Sequence, residues 1–367
     1  EQFDNFSSNH PLHTYYQTSS YGNLMTNDGF EPHYYGFIND QNILIGASLI
    51  LIQKLFLGYK YAYAPRGFLI DYDNKDLIID VTNKMKKFVV ITNAYKDKDL
   101  RLTKQIVEYI TDQGGSAKSL ISIVESPDGR DFDIEQIPED TECILVLGGD
   151  GTLIRAATKV SGLKIPLIGV NMGTLGYLCE LEEANVFPAI DKLMGDNYMM
   201  ENRIMLTGHK DGCKEKRVAL NDIVIHRAGG LQMLSLNVYV NGEFLNTYHA
   251  DGIIVATPTG STGYNMSAGG PIVDPKGSLI LLTPNNAHNL NSKSIVLSSE
   301  DVVEIEMGSR RWQKDERAYV SFDGDNVAEL KVGDRFVIKK SDNYTQICKL
   351  NKRSFLEILR KKMETYT

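Results

Sequence analysis

The residues best suited to chemistry are Gly148-Gly149-Asp150-Gly151-Thr152, where an acid sits inside a glycine-rich turn directly after an apolar run. Glycines let the backbone approach a phosphate, and the turn opens a helix whose amides and positive end would face that phosphate. A carboxylate among such amides repels a phosphate unless a metal ion or a proton-donating hydroxyl is also present. Phosphoryl transfer to an alcohol requires that combination. Asp150 is therefore a candidate general base. The segment lacks the Lys-Ser/Thr that closes a Walker loop, and it is not G-x-G-x-x-G followed by a ribose-binding acid. A plain tight turn has the same composition, so the motif alone leaves both readings open.

Two further clusters narrow the choice. From Asp251 to Tyr264 an acid precedes a buried apolar strand and then a hydroxyl-rich loop, with Thr259, Ser261 and Thr262 spaced by Gly260 and Gly263. Small side chains leave room for a flat ring, Ser267 adds a hydroxyl, and Tyr264 offers an aromatic face, which suits adenine better than a sugar phosphate. Asn221-Asp222 stands at the start of a strand ending at His226. An amide and a carboxylate side by side can grip a diol, such as paired ribose hydroxyls. Read singly, each cluster is also a capped turn.

The elements that must position these residues alternate in type. Phe88 to Thr92 is a short β-branched run, the pattern of a buried parallel strand. Asp97 to Gln113 carries apolar residues near helical spacing and ends at Gly114-Gly115. Cys143 to Leu147 predicts a second strand, Gly151 to Ser161 a helix and Ile165 to Val170 a third strand, which together imply a parallel sheet. From about Arg203 the texture becomes alternating strands. Leu234 to Val240 before Asn241-Gly242 is a hairpin signal, so the second domain reads as mostly β. Ser354 to Met363 predicts a terminal helix that packs back through Phe355, Ile358 and Leu359.

At 367 residues the chain is long enough for two or three domains at about 150 residues each. With 42% hydrophobic and 23% charged residues it has the balance of a globular protein. A formal net charge of −8 gives no basic field for a nucleic-acid backbone. Cys143, Cys179, Cys213 and Cys348 form no C-x-x-C pair, so they read as buried reduced thiols and not as metal ligands. The longest apolar run, Ile43 to Ile52, is too short to cross a bilayer and predicts a core segment. No basic start followed by an apolar stretch opens the first 30 residues, which fits a cytoplasmic protein without a membrane or nucleic-acid partner.

The three clusters in this order, with Gly169-Val170-Asn171-Met172-Gly173-Thr174-Leu175-Gly176-Tyr177-Leu178 between the first and the third, resemble the NAD kinase family over about 280 residues. The first cluster is shared with lipid kinases and echoed in phosphofructokinases, so only the combination is diagnostic. The resemblance implies an α/β Rossmann-like kinase domain over 85–200, a mostly β NAD-binding domain over 201–345 and a terminal segment over 346–367. It implies transfer of the γ-phosphoryl group of ATP to the adenosine-ribose 2′-hydroxyl of NAD, with Asp150 as the base. By similarity, Gly148, Gly149 and Thr152 lie at the ATP phosphates, with a divalent cation, Mg²⁺, held largely by the phosphates themselves. Gly151 lies against NAD, Arg155 supplies a basic contact, and Asn171, Asn221 and Asp222 hold polar groups of the dinucleotide. Asp251 meets the nicotinamide end, while Thr262, Gly263, Tyr264, Asn265, Met266 and Ser267 wall the adenosine. A homodimer or homotetramer is also implied.

Three positions depart from the family pattern: Asp222 where Glu is frequent, His249 where Arg is common, and Asp325 where Gln is usual. Asn285-Asn286-Ala287-His288 matches only loosely. The alternatives are a lipid kinase acting on diacylglycerol or a sphingoid base, which needs a long apolar cleft, and a noncatalytic dinucleotide-binding protein.

Residues 1–84 read differently, with aromatics clustered at Tyr15-Tyr16, Tyr34-Tyr35 and Tyr59 to Tyr63. Asn9-His10-Pro11, Tyr16-Gln17-Thr18, Ile45-Gly46-Ala47 and Tyr63-Ala64-Pro65-Arg66-Gly67 resemble the amino-terminal part of peptidoglycan bridge-forming aminoacyltransferases. The expectation is an α+β fragment of one gene joined to an entire second protein, with no transferase activity of its own.

Overall fold

A computed structural model describes residues 1–39, 41–54, 60–122, 131–173, 176–229, 233–288, 293–309, 316–350 and 354–364. Tyr59, Thr174 and Leu175 lie outside them. The chain divides into two compact units, Glu1–Met85 and Lys86–Thr367. In the first, α1 (Gln2–Asn9) and α2 (Ser19–Met25) precede an antiparallel sheet of β1 (Glu31–Ile38), β2 (Leu44–Lys54) and β3 (Lys60–Tyr63), and α3 (Lys75–Lys84) follows. The apolar run at 43–52 is core, as expected, and forms most of β2 with Ala47, Leu49 and Leu51 fully buried. The Gln17 side chain is buried as well: it accepts from Leu49 N at 2.6 Å and donates to Pro65 O and Gly67 O, which joins two of the resemblance motifs to β2.

The second unit opens with β4 (Lys87–Asn93), α4 (Arg101–Asp112), β5 (Ser116–Ser122), β6 (Cys143–Gly148), α5 (Asp150–Val160), β7 (Leu167–Asn171), β8 (Leu181–Glu182) and α6 (Val186–Met194). Strands β5, β4, β6 and β7 pair in parallel, in that order. The expected helix from Asp97 starts only at Arg101, because the Asp97 carboxylate accepts from Leu102 N and Thr103 N and turns the chain through positive φ at Asp99 and Leu100. Strand β5 carried no sequence expectation. It is an edge strand with Ser116, Lys118, Ser119 and Ile121 exposed, so it lacks the apolar run of its neighbours.

The remainder is antiparallel: β9 (Met199–Lys210), β10 (Arg217–Ala219), β11 (Asp222–Arg227), β12 (Leu234–Val240), β13 (Glu243–Ala250), β14 (Gly252–Ala256), the short α7 (Tyr264–Ser267), β15 (Leu279–Asn285), β16 (Ile295–Ser298), β17 (Val303–Met307), β18 (Arg317–Phe322), β19 (Asp325–Lys331) and β20 (Arg335–Lys349), then α8 (Phe355–Glu364). Asn241 and Gly242 take positive φ between β12 and β13, as a two-residue hairpin requires. A six-stranded sheet, β16-β15-β14-β11-β18-β19, packs its apolar face on β12, β17 and β20 through Ile223, Ile253, Val320, Leu236 and Phe336. The 15-residue β20 also meets β7 in parallel at Ile347, so it continues the parallel sheet into the antiparallel one. The α/β and mostly β parts are those expected.

Candidate functional site

Strands β4, β6 and β7 end side by side, Thr92 beside Leu147 and Gly148 beside Asn171, and open sheets place ligands beyond such carboxyl ends. Gly149 caps α5 and Asp150 is its first residue. The half-buried Asp150 carboxylate accepts from Tyr177 N at 2.6 Å, Leu178 N at 3.2 Å and Cys179 N at 3.1 Å. Three amide donors fix its direction. A Cβ on Gly176 would overlap that carboxylate, which is why a glycine stands there. Burial, then the Asp150 charge, pushes the Cys179 thiol far up and keeps it neutral. Asn171 donates through Nδ2 to Gly173 O, while its buried Oδ1 has no partner among the described residues.

One helix links this turn to the second cluster. Thr158 on α5 donates to Asp323 Oδ2 at 3.0 Å, and the Asp323 carboxylate accepts from Leu220 N, Asn221 N and Asp222 N at 2.7–3.1 Å. Arg155, one turn before Thr158, approaches exposed Asp325 at 3.9 Å. The loop from Thr257 lies on the same residues: Thr257 N donates to Asn221 O at 2.8 Å and Thr257 Oγ1 to Leu220 O. Gly263 leaves its Cα face open to Asn221 Nδ2 and Asp222 Oδ2.

Asn221, Asp222, Asp251, Tyr264 and Asp323 line one cleft of about 750 Å³, joined by Arg227, Asn285 and Asn286. Asp222 is only 5% exposed, and burial, then the Asp323 charge, raises its carboxyl to about 7. Burial raises Asp323 too, against its four donors. Asp251 is aimed by Arg227 Nη1 at 3.4 Å and Asn286 Nδ2 at 3.1 Å, and the Tyr264 hydroxyl by Asn285 Nδ2 at 2.7 Å. The lining is largely amide, carboxylate and phenol, not the apolar tunnel a lipid chain needs.

Other expected site residues stand apart from this cleft. His249 is exposed on β13, with its carbonyl accepting from His288 N. Asn265 is fully buried: it donates to Ser261 O and Pro271 O and accepts from Thr283 Oγ1, so its amide fastens the loop and does not face the cleft. Thr262 Oγ1 donates to Thr259 O, while Met266 and Ser267 are exposed on α7. Cys213 is exposed, unlike the three buried cysteines, because it sits in the polar β9–β10 connection. Sequence reasoning passed over Arg227, the capping role of Asp323, and Lys96, whose Nζ lies 2.8 Å from where a Gly149 Cβ would be. The Asp323-Gly324 pair, a positive-φ turn, was the available signal for Asp323.

Comparison with known proteins shows what the chain is similar to. The model of the ATP-NAD kinase N-terminal domain matches residues 81–198 and that of the ATP-NAD kinase C-terminal domain residues 220–350. The FemAB family model matches residues 1–96. An NAD kinase of Agathobacter rectalis is 72% identical over 283 residues, covering 77% of this chain and 100% of that protein. One of Lachnoclostridium phytofermentans is 42% identical over 284 residues, 76% of this chain and 99% of that protein. Among solved structures, an NAD kinase from Archaeoglobus fulgidus in complex with ATP aligns with a TM-score of 0.59 at 25% identity, over 75% of this chain and 98% of that one. Yeast NADH kinase complexed with NADH aligns at 0.66 and 21% identity, over 76% and 87%.

Proposed function

The chain belongs to the NAD kinase family, a family of phosphotransferases, and from that premise we propose that Asp150 is the base that takes the proton of the adenosine-ribose 2′-hydroxyl of NAD as the γ-phosphoryl group of ATP is transferred to it. The observation that carries this reading is the anchoring of Asp150 at the start of α5, while Thr158 of the same helix docks on the residue that caps Asn221 and Asp222. One rigid element thus sets the distance from base to acceptor cleft. With a rise of 1.5 Å per residue, Asp150 and Thr158 lie about 12 Å apart along the helix axis, the span of a nucleoside.

In this reading Asn221 and Asp222 take ribose hydroxyls, Tyr264 with Thr262, Gly263, Met266 and Ser267 receives the adenosine while Asn265 fastens that loop, and Asp251 meets the nicotinamide end. Gly148, Gly149 and Thr152 receive the ATP phosphates, and Gly151, Arg155, Asn171, His249 and Asp325 are peripheral contacts of the dinucleotide. Among the described residues no group of three His, Cys, Asp or Glu could hold a metal. In this reading the divalent cation is carried largely by the phosphates, with the Asp150 carboxylate and Asn171 Oδ1 as oxygen donors of the same turn region. Positioning and charge neutralisation supply most of the acceleration, and no phosphoenzyme forms.

The proposal extends to a homodimer or homotetramer in a cytoplasmic setting, to the divisions 85–200, 201–345 and 346–367, and to residues 1–84 as a passenger without transferase activity. Among the described residues no helix is long and apolar enough to cross a membrane. The test is NADP⁺ formation from NAD⁺ and Mg²⁺-ATP by the full chain. Asp150→Asn is expected to lower kcat by about 10²- to 10⁴-fold with the fold intact. Nearly full activity in that variant sinks the assignment of the base.

A further inference from the structure

A glycine turn at a helix end offers amides and about half a positive charge, whereas the three phosphates of the donor need a full cation close to the transferring group. The fold brings Lys96 Nζ to the glycine turn, 2.8 Å from where a Gly149 Cβ would be. Strand β4 ends at Asn93, beside the end of β6, and the turn after it is tied at several points. Lys96 N donates to Asn93 O at 3.0 Å, Tyr95 N to Asn93 Oδ1 at 3.0 Å, and Asn93 Nδ2 to Thr152 Oγ1 at 3.3 Å. The Lys96 turn is thereby fastened to the first turn of α5.

A side chain at Gly149 would meet Lys96 Nζ, so the ammonium covers the Gly149 backbone. Lys96 and Asp150 both act on the buried Cys179 thiol, with opposite sign because their charges are opposite. The adjacent Asp97 spends its carboxylate on Leu102 N, Thr103 N and Thr103 Oγ1. Among the described residues no carboxylate pairs with Lys96, and the residue is exposed.

We propose that Lys96 is the cation that binds the terminal phosphates of the donor and neutralises the transferring phosphoryl group. This rests on the phosphoryl-transfer reading above. In the step, the bond from the ribose 2′-oxygen to the γ-phosphorus forms and the bond from that phosphorus to the β,γ-bridging oxygen breaks. ADP leaves with the electron pair, the hydroxyl proton passes to Asp150, and Lys96 stays protonated throughout.

The experiment compares wild type, Lys96→Gln and Lys96→Arg in the full chain, with melting curves to show equal folding. Lys96→Gln is expected to lower kcat/KM for ATP by about 10²- to 10³-fold, with KM for NAD within about twofold, and Lys96→Arg to recover part of the loss. In calorimetry, ADP and inorganic tripolyphosphate are expected to bind Lys96→Gln at least about tenfold more weakly than wild type, because a charge-assisted contact is lost. Equal affinity of both probes for wild type and Lys96→Gln overturns the assignment, whether or not NADP is formed. If wild type forms no NADP yet binds the probes through Lys96, the acceptor is wrong and the donor cation stands.

Discussion

Asp222 shows what a single carboxylate costs in this cleft. Its carboxyl, near 3.8 when exposed, rises to about 7 on folding, first through burial and then through the charge of Asp323. Between about pH 4 and pH 7 the folded state holds more protons than the unfolded one, so stability falls as pH rises across that window. At about 1.4 kcal/mol per unit, the ceiling of the effect is about 4 kcal/mol. Asp222→Asn is therefore expected to raise Tm at pH 8, with the gain shrinking towards pH 4, and a gain independent of pH would refute the linkage. A carboxylate, not a carboxylic acid, accepts ribose hydroxyls best, so KM for NAD should climb as pH falls from 8 to 6 in wild type and stay level in the variant. Gly176→Ala tests the neighbouring contact: its methyl displaces the Asp150 carboxylate, and activity should fall as far as in Asp150→Asn. The structure ties Asp150, Asn221 and Asp222 together through α5 and Asp323, and they were singled out as candidates by the combination of clusters, since each read singly is also a turn. Lys96 and Arg227 were not, because a lysine or arginine in a charged loop looks solvated until the fold brings it over Gly149 or Asp251.

At the scale of elements, α5 is both the phosphate-facing helix and the strut of the acceptor cleft. Asp323 makes it a strut, since one carboxylate takes the Thr158 hydroxyl and three successive amides of the 220–222 turn. Unpaired buried donors cost about 1–3 kcal/mol each, set against the desolvation that Asp323 itself no longer suffers. Asp323→Ala should thus lose about 3 kcal/mol in urea titration and raise KM for NAD. Asp325→Ala, two residues on and exposed, should stay within about 0.5 kcal/mol. Equal losses in the two variants would mean that the turn, and not the carboxylate, fixes α5. The sequence-level expectation put weight on Asp325, because alignment by motif sees the segment but not which acid turns inward. The same limit explains the strands. The runs at 88–92 and 143–147 were readable since buried parallel strands are apolar throughout, whereas β5 alternates at a sheet edge and gives no such run. Asp97 looked like part of α4 because helical periodicity begins before the carboxylate that caps the helix.

The whole molecule is two units with separate cores. In Lys86–Thr367 the hydrophobic clusters formed by the described residues begin at Phe88, and β4 already has a partner on each side in β5 and β6. Glu1–Met85 buries a small cluster of its own around Phe37, Ile70 and Val81. Among the described residues the strand pairing of β4 is complete within Lys86–Thr367, so removing residues 1–84 leaves that ladder intact. A chain starting at Met85 is expected to form NADP⁺ with kcat within about twofold of the full chain and to melt within a few degrees of it, since a change of 1 kcal/mol shifts Tm by about 2–4 °C at this size. The comparison is made by coupled assay with an NADP-specific dehydrogenase and by calorimetry on both chains. A shortened chain that melts much lower, or that keeps its melting point but loses activity, would show that the first unit belongs to the working enzyme, and the passenger reading would fall.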